Sequence, residues 1–205
     1  MRLAIVSDIH GDHAGLQAAL SCMKPFDRLV SLGDAVNQYA YCPETIAILY
    51  DHDALAIHGN HEALLFAQHK EGFPASAPAY RDAAEWYYRQ PLQRRLAVDG
   101  KNLLLTHATP IPGDWRYLTP KTSGFELFAH QADDLIVYGH THFPVCQRAG
   151  AATVVNPGSV GEDRPGARQY TRNCAVLDLT AGEALLIEFD PSNGAFRHAA
   201  QHMLF

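Results

Sequence analysis

Eight side chains able to bind a metal or carry a proton stand at the ends of short apolar runs. Leu3-Ala4-Ile5-Val6-Ser7 leads into Asp8-Ile9-His10, Leu29-Val30-Ser31-Leu32-Gly33 into Asp34, and Ala54-Leu55-Ala56-Ile57-His58-Gly59 into Asn60-His61-Glu62. Leu103-Leu104-Leu105-Thr106 then leads into His107, and Leu135-Ile136-Val137-Tyr138-Gly139 into His140-Thr141-His142. One histidine after a strand is ordinarily a hydrogen-bonded loop residue. Five such ends are different, because the strand carboxyl ends of an open α/β sheet line one ligand crevice. Asp8 and His10 are two apart, which in an extended segment turns both side chains to the same side, and His140 and His142 repeat the spacing. The glycine before Asp34, Asn60 and His140 lets the backbone turn sharply and approach an ion closely. Apart from His61, these residues offer two carboxylates, one amide oxygen and four imidazoles. That is more than one ion needs and suits two ions sharing a carboxylate. Mixed nitrogen and oxygen donors without thiolate favour manganese, iron, cobalt, nickel or zinc over calcium.

The elements that must position these residues follow from the apolar pattern. Strand-length runs fall at 3–7, 28–32, 55–58, 103–106, 135–138, 153–155, 175–179 and 184–189, bounded by Gly, Asp, Asn or Pro. Helical spacing of Leu16, Ala19, Leu20 and Met23, and of Ile46, Ala47, Leu49 and Tyr50, predicts a β-α-β-α-β opening. A helical stretch over 61–95, broken at Pro74 and Pro78, carries Phe73, Tyr80, Trp86, Tyr87 and Tyr88 and reads chiefly as helical core. The last third is rich in strands.

At 205 residues the chain is expected to form one domain over 1–205, with an aromatic-rich helical insertion at about 62–95. Its 47% hydrophobic and 19% charged content excludes global disorder. Sixteen basic against 22 acidic residues give a net charge of -6, which leaves no basic footprint for long nucleic acid. The opening residues show neither an apolar signal region nor a cleavage site, and no apolar run approaches the roughly 18 residues of a membrane span. A cytoplasmic protein without membrane partners is the expectation. Cys22, Cys42, Cys146 and Cys174 match neither a zinc spacing nor a disulfide framework and read as reduced, packed thiols.

In order, Asp8-x-His10, Gly33-Asp34, Gly59-Asn60-His61-Glu62, His107 and Gly139-His140-Thr141-His142 resemble the motifs of the calcineurin-like metallophosphoesterase superfamily, over residues 8–142. Ser7-Asp8-Ile9-His10-Gly11 and Asn156-Pro157-Gly158-Ser159-Val160-Gly161 resemble its branch of small YfcE-like phosphodiesterases. The resemblance implies an α/β, four-layer fold in which two packed β-sheets are flanked by helices. It implies that Asp8, His10 and His142 hold one divalent metal, that Asn60, His107 and His140 hold the second, and that Asp34 bridges them. His61 matches the superfamily's histidine that contacts phosphate and protonates the leaving oxygen. Two ions roughly 3.5–4 Å apart lower the pKa of a shared water and clamp both oxygens of an in-line displacement. The hydroxide so formed attacks phosphorus without a serine or cysteine nucleophile. The expected activity is hydrolysis of a small phosphodiester or phosphomonoester.

The sequence also departs from relatives. Asp12 stands where the branch commonly has Asn, Asn37 where phosphoprotein phosphatases place an aspartate, and Tyr39 where they carry an arginine. Asn37 and Tyr39 argue against the alternative of a Ser/Thr phosphoprotein phosphatase. A second alternative, a non-catalytic interaction module, is known in this fold with the general-acid histidine lost, whereas His61 is retained. Asp12, Asn37 and Arg164 are candidate substrate contacts; Arg164 also reads as a solvated loop arginine. Glu62 reads as an early-helix acid favoured by the macrodipole. The resemblance places 156–161 behind the metal site, although the sequence is also that of an ordinary turn. Substrate choice is expected in 72–90 and 110–124. Relatives in the branch are often oligomeric, and a homo-oligomer is expected on that ground alone.

Overall fold

The computed structural model describes the chain except residues 39, 69–77, 164–165 and 167–168. β1 (Arg2–Val6), α1 (His13–Met23), β2 (Arg28–Ser31), α2 (Pro43–Asp51), β3 (Leu55–Ala56) and α3 (Asn60–Gln68) form the expected alternating opening. A 3₁₀ turn (Pro78–Tyr80) and α4 (Arg81–Tyr88) follow, then β4 (Gln93–Val98) and β5 (Lys101–Thr106). After a second 3₁₀ segment (Phe125–His130) come β6 (Leu135–Val137), β7 (Val145–Ala149), β8 (Ala152–Asn156), β9 (Arg172–Asp178), β10 (Glu183–Phe189) and β11 (Phe196–Met203).

The strands form a six-stranded sheet, β11-β10-β9-β1-β2-β3, and a five-stranded sheet, β4-β5-β6-β8-β7. β1, β2 and β3 run parallel, with β9 antiparallel to β1 in the register Ile5↔Ala175. In the second sheet β5, β6 and β8 are parallel, flanked by antiparallel β4 and β7.

Period-two alternation sorts the core into layers. Leu3 and Ile5 of β1 meet Leu103, Leu105, Leu135 and Val137 in the cluster between the sheets. Their neighbours Ala4 and Val6 face outward onto Leu16, Leu20, Ile46, Leu49 and Tyr87 of the helices. On the far side Leu104, Ile136 and Tyr138 pack against Leu118, Phe125 and Phe128. Both sheets are thus buried on both faces, giving the four layers expected, the outermost beside the second sheet built from 3₁₀ helix and loop.

Two expectations are corrected. The helical stretch ends at Tyr88, and 93–95 begin β4, where Gln93–Val98 alternate half-buried and exposed positions against β5. β4, β7 and β11 were absent from the apolar pattern for one reason: all three are edge strands, with polar sequences such as QRRLAV and FRHAAQHM. Among the described residues, no helix is long and apolar enough to cross a membrane.

Candidate metal centre

Each functional side chain leaves the end of a strand or opens the helix after it. Asp8 and His10 follow β1, Asp34 follows β2, Asn60 and His61 open α3 after β3, His107 follows β5, and His140 and His142 follow β6. The strand ends of both sheets meet here. Ligand atoms of Asp8, His10 and His142 lie within 4.8 Å of one another, as do those of Asp34, His107 and His140, and those of His10, Asp34 and His61. Asn60 joins through its Oδ1, 3.1 Å from His107 Nε2. All eight residues singled out by their spacing are therefore brought to one place.

The backbone that presents them is not extended. Asp8, His10, Asp34, His140 and His142 have φ between 50° and 65°, the left-handed region that side chains with a Cβ seldom adopt. Donors two apart converge because each backbone turns over, and not through strand alternation as the sequence suggested. Such conformations cost roughly 1–3 kcal/mol each and persist where their surroundings over-determine them. The preceding glycines make room for carboxylates: a Cβ on Gly59 would lie 2.2 Å from Asp34 Oδ1, and one on Gly139 would lie 2.9 Å from Asp8 Oδ2.

Outer contacts fix the tautomers. His107 Nδ1 donates to the Leu32 carbonyl at 2.8 Å, leaving Nε2 toward Asp34 Oδ2 at 3.3 Å. His140 Nε2 donates to the Trp115 carbonyl at 2.8 Å. His142 Nδ1 meets Glu162 Oε2 at 3.1 Å and turns Nε2 to Asp8 Oδ1 at 3.3 Å. The segment 156–161 packs behind the centre, as the resemblance implied. Ser159 Oγ and the Gly161 N–H both donate to the Asp8 carbonyl at 2.9 Å, and Asn156 Nδ2 donates to the Gly139 carbonyl at 2.7 Å.

Burial pushes the Asp8 carboxyl up, but His142 and His107 outweigh it and hold it low; His107 does the same for Asp34. Burial lowers His107, yet Asp34 and Asp8 draw it up to about 9. Burial and the neighbouring His107 charge push His140 down to about 4, which keeps its lone pair free. Divalent ions fit this arrangement. Asp8 Oδ1 is buried without a hydrogen bond, facing the Nε2 atoms of His142 at 3.3 Å and His107 at 4.0 Å, His10 Nε2 and His142 Nε2 face each other at 3.3 Å, and two buried carboxylates require positive charge beside them.

His61 lies at the mouth, with 19% of its side chain exposed; its backbone N–H donates to Asp34 Oδ1 at 2.9 Å. Sequence reasoning missed Glu62. It is fully buried, accepting from the backbone N–H groups of Asp34 (2.8 Å), Val36 (3.1 Å) and Gly59 (2.7 Å) and from Tyr87 Oη (2.9 Å). Glu62 thereby ties the Asp34 loop to the start of α3, and Tyr87 joins α4 to both. No local pattern announces this, because three of the four donors are backbone groups.

The candidate substrate contacts divide. Asp12 caps α1 through Gly15 N at 2.8 Å and pairs its other oxygen with Arg172, so its carboxylate is engaged in structure. Asn37 is exposed in the loop after Asp34, bridged to Ala40. Arg164 lies outside the described residues, as do Tyr39 and Phe73.

Residues 1–182 match the model of the calcineurin-like phosphoesterase superfamily domain. Over 178 residues the chain is 28% identical to phosphodiesterase YfcE of Escherichia coli K12, covering 81% of this chain and 83% of that protein. Its fold is similar to the crystal structure of a metallophosphoesterase from Sphaerobacter thermophilus, with TM-score 0.70, 22% identity and coverage of 91% and 87%. It also resembles Vps29 of Entamoeba histolytica complexed with zinc, with TM-score 0.56, 14% identity and coverage of 99% of each chain. With its donors gathered at five strand ends and a family match across nearly the whole chain, this protein belongs to the calcineurin-like phosphoesterase superfamily and is a hydrolase of phosphate esters.

Proposed function

We propose that the chain is a dinuclear metal-dependent phosphoesterase that hydrolyses a small phosphodiester or phosphomonoester. The observation that carries this reading is the convergence of seven donors, six of them in overlapping close groups and Asn60 beside His107, with His61 at their mouth. Asp8, His10 and His142 would hold one ion and Asn60, His107 and His140 the other, with Asp34, a member of two of the close groups, available to both. Two ions in such a site supply an activated water and neutralise charge on the phosphoryl oxygens. His61 is the general acid. Its Nδ1 lies 3.2 Å from His10 Nδ1, leaving Nε2, 3.8 Å from Asp34 Oδ2, to give a proton to the leaving oxygen. The net charge of -6 supports a small substrate over long nucleic acid.

The test is hydrolysis of bis-p-nitrophenyl phosphate, p-nitrophenyl phosphate and a phosphopeptide by chelator-stripped protein with each divalent metal restored. Metal-dependent turnover of the small esters, lost in Asp34→Asn and His61→Ala, is the expected result. Turnover confined to the phosphopeptide would point to a phosphoprotein phosphatase, and none with any metal to a binding module.

A further inference from the structure

A cleft of about 390 Å³ opens beside the donor cluster, lined by Asn60, Ala63 and Leu64 on one side and Trp115, Tyr117 and His140 on the other. Its size falls within the roughly 300–1,000 Å³ of small-molecule sites. Asn60 and His140 are shared between the cleft and the donor cluster, so an ester whose phosphate sits at the cluster directs a substituent along this cleft. The walls are flat and apolar. Tyr117 is 65% exposed and stacks on His140, ring centroids 4.1 Å apart and planes at 28°. Trp115 meets His107 edge-on at 5.8 Å while its carbonyl holds His140. Leu64, on the first exposed turn of α3, is 47% exposed. The loop that brings both aromatics here is thus seated on two imidazoles of the centre.

None of the six lining residues is Lys, Arg, Asp or Glu. Arg116, between the two aromatics, is turned onto Asp114, its Nε donating at 2.9 and 3.0 Å to the two carboxylate oxygens. A second phosphate or a charged headgroup therefore finds no counter-charge in the lining. A planar uncharged ring finds aromatic and aliphatic faces, with the Asn60 side chain at the inner end. We propose that this cleft is a ring-binding subsite, with Tyr117 as its specificity-determining residue, and that the substrates are nucleotide-type esters whose base lies against Tyr117. This rests on the phosphoesterase reading for the position of the phosphate.

The test compares adenosine 5′-monophosphate with ribose 5-phosphate, which lacks only the base, by calorimetric binding to the manganese-loaded protein. Turnover of p-nitrophenyl phosphate is measured separately. The nucleotide is expected to bind about tenfold tighter, the order of one base stacked on an aromatic side chain. Tyr117→Leu is expected to bring the two affinities together without changing that for ribose 5-phosphate, and Tyr117→Phe to keep the difference. If both ligands weaken in parallel in Tyr117→Leu, Leu64→Asn decides: a reduced ratio supports the subsite and an unchanged ratio overturns it. Equal affinities in the unaltered protein overturn the subsite, while turnover of p-nitrophenyl phosphate leaves the phosphoesterase reading standing. A ring preference without any turnover keeps the subsite and overturns that reading.

Discussion

His61 touches Asp34 through its own backbone and His10 through its ring, yet its side chain is not needed to fill the core. Removing it is expected to separate chemistry from assembly. His61→Ala should lower kcat by about 10²- to 10⁴-fold, the contribution of a positioned acid, while two metal equivalents remain by elemental analysis. Loss of bound metal in that variant would assign His61 to coordination instead. Asp34→Ala should reverse the pattern, reducing metal content together with activity. At this scale the sequence was informative because strand, glycine and donor recur as a local unit. What it did not disclose is the means of convergence: left-handed backbone at Asp8, His10, Asp34, His140 and His142, with the Asp8 carbonyl held by Ser159 and Gly161 some 150 residues away and the Asp34 N–H held by Glu62.

Between elements, Glu62 is the most consequential contact that the sequence concealed. Its carboxylate gathers the N–H groups of Asp34, Val36 and Gly59 with the Tyr87 hydroxyl, joining the β2 loop, α3 and α4. A buried donor left without its acceptor costs about 1–3 kcal/mol. Tyr87→Phe removes one donor and should lower Tm by about 2–4 °C, on the order of 1 kcal/mol for a chain of this size. Glu62→Gln sets an amide N–H against one of the four donors and should lower Tm further, with a fall in metal affinity because Asp34 loses its backbone anchor. Equal metal affinity in Glu62→Gln and unaltered protein, by competition with a chromogenic chelator, would reduce Glu62 to a purely structural contact. The parallel strands β1, β2, β5 and β6 were legible as apolar runs because both faces are buried, whereas the edge strands β4, β7 and β11 carry too little apolar sequence to be seen.

Across the whole molecule, the four thiols are free and each is pushed up by burial, Cys146 to about 11. A thiol whose folded value exceeds its unfolded value of about 8.5 holds its proton longer in the folded state. The stability it contributes is complete below about pH 8.5 and lost as pH rises toward 11. Tm should therefore fall between pH 8.5 and 10.5, and less steeply in Cys146→Ala once its own baseline is subtracted. An identical slope in the variant would assign the alkaline loss to other groups. At pH 7.5 these cysteines should react with iodoacetamide far more slowly than free cysteine, because the thiolate is the nucleophile.

The register of β1 against β9 joins Arg2 to Asp178, so the first strand of the chain acquires its antiparallel neighbour from the last fifth of the sequence. As the chain leaves the ribosome, Asp8, His10 and Asp34 emerge early, but the segment that pins the Asp8 carbonyl emerges some 150 residues later. Contacts so distant in sequence slow folding toward the millisecond-to-second range. The nascent N-terminal half therefore carries exposed donors and a β1 paired on one side only, with β2, through most of synthesis, and the Asp8 carbonyl is pinned only after 159–161 have emerged.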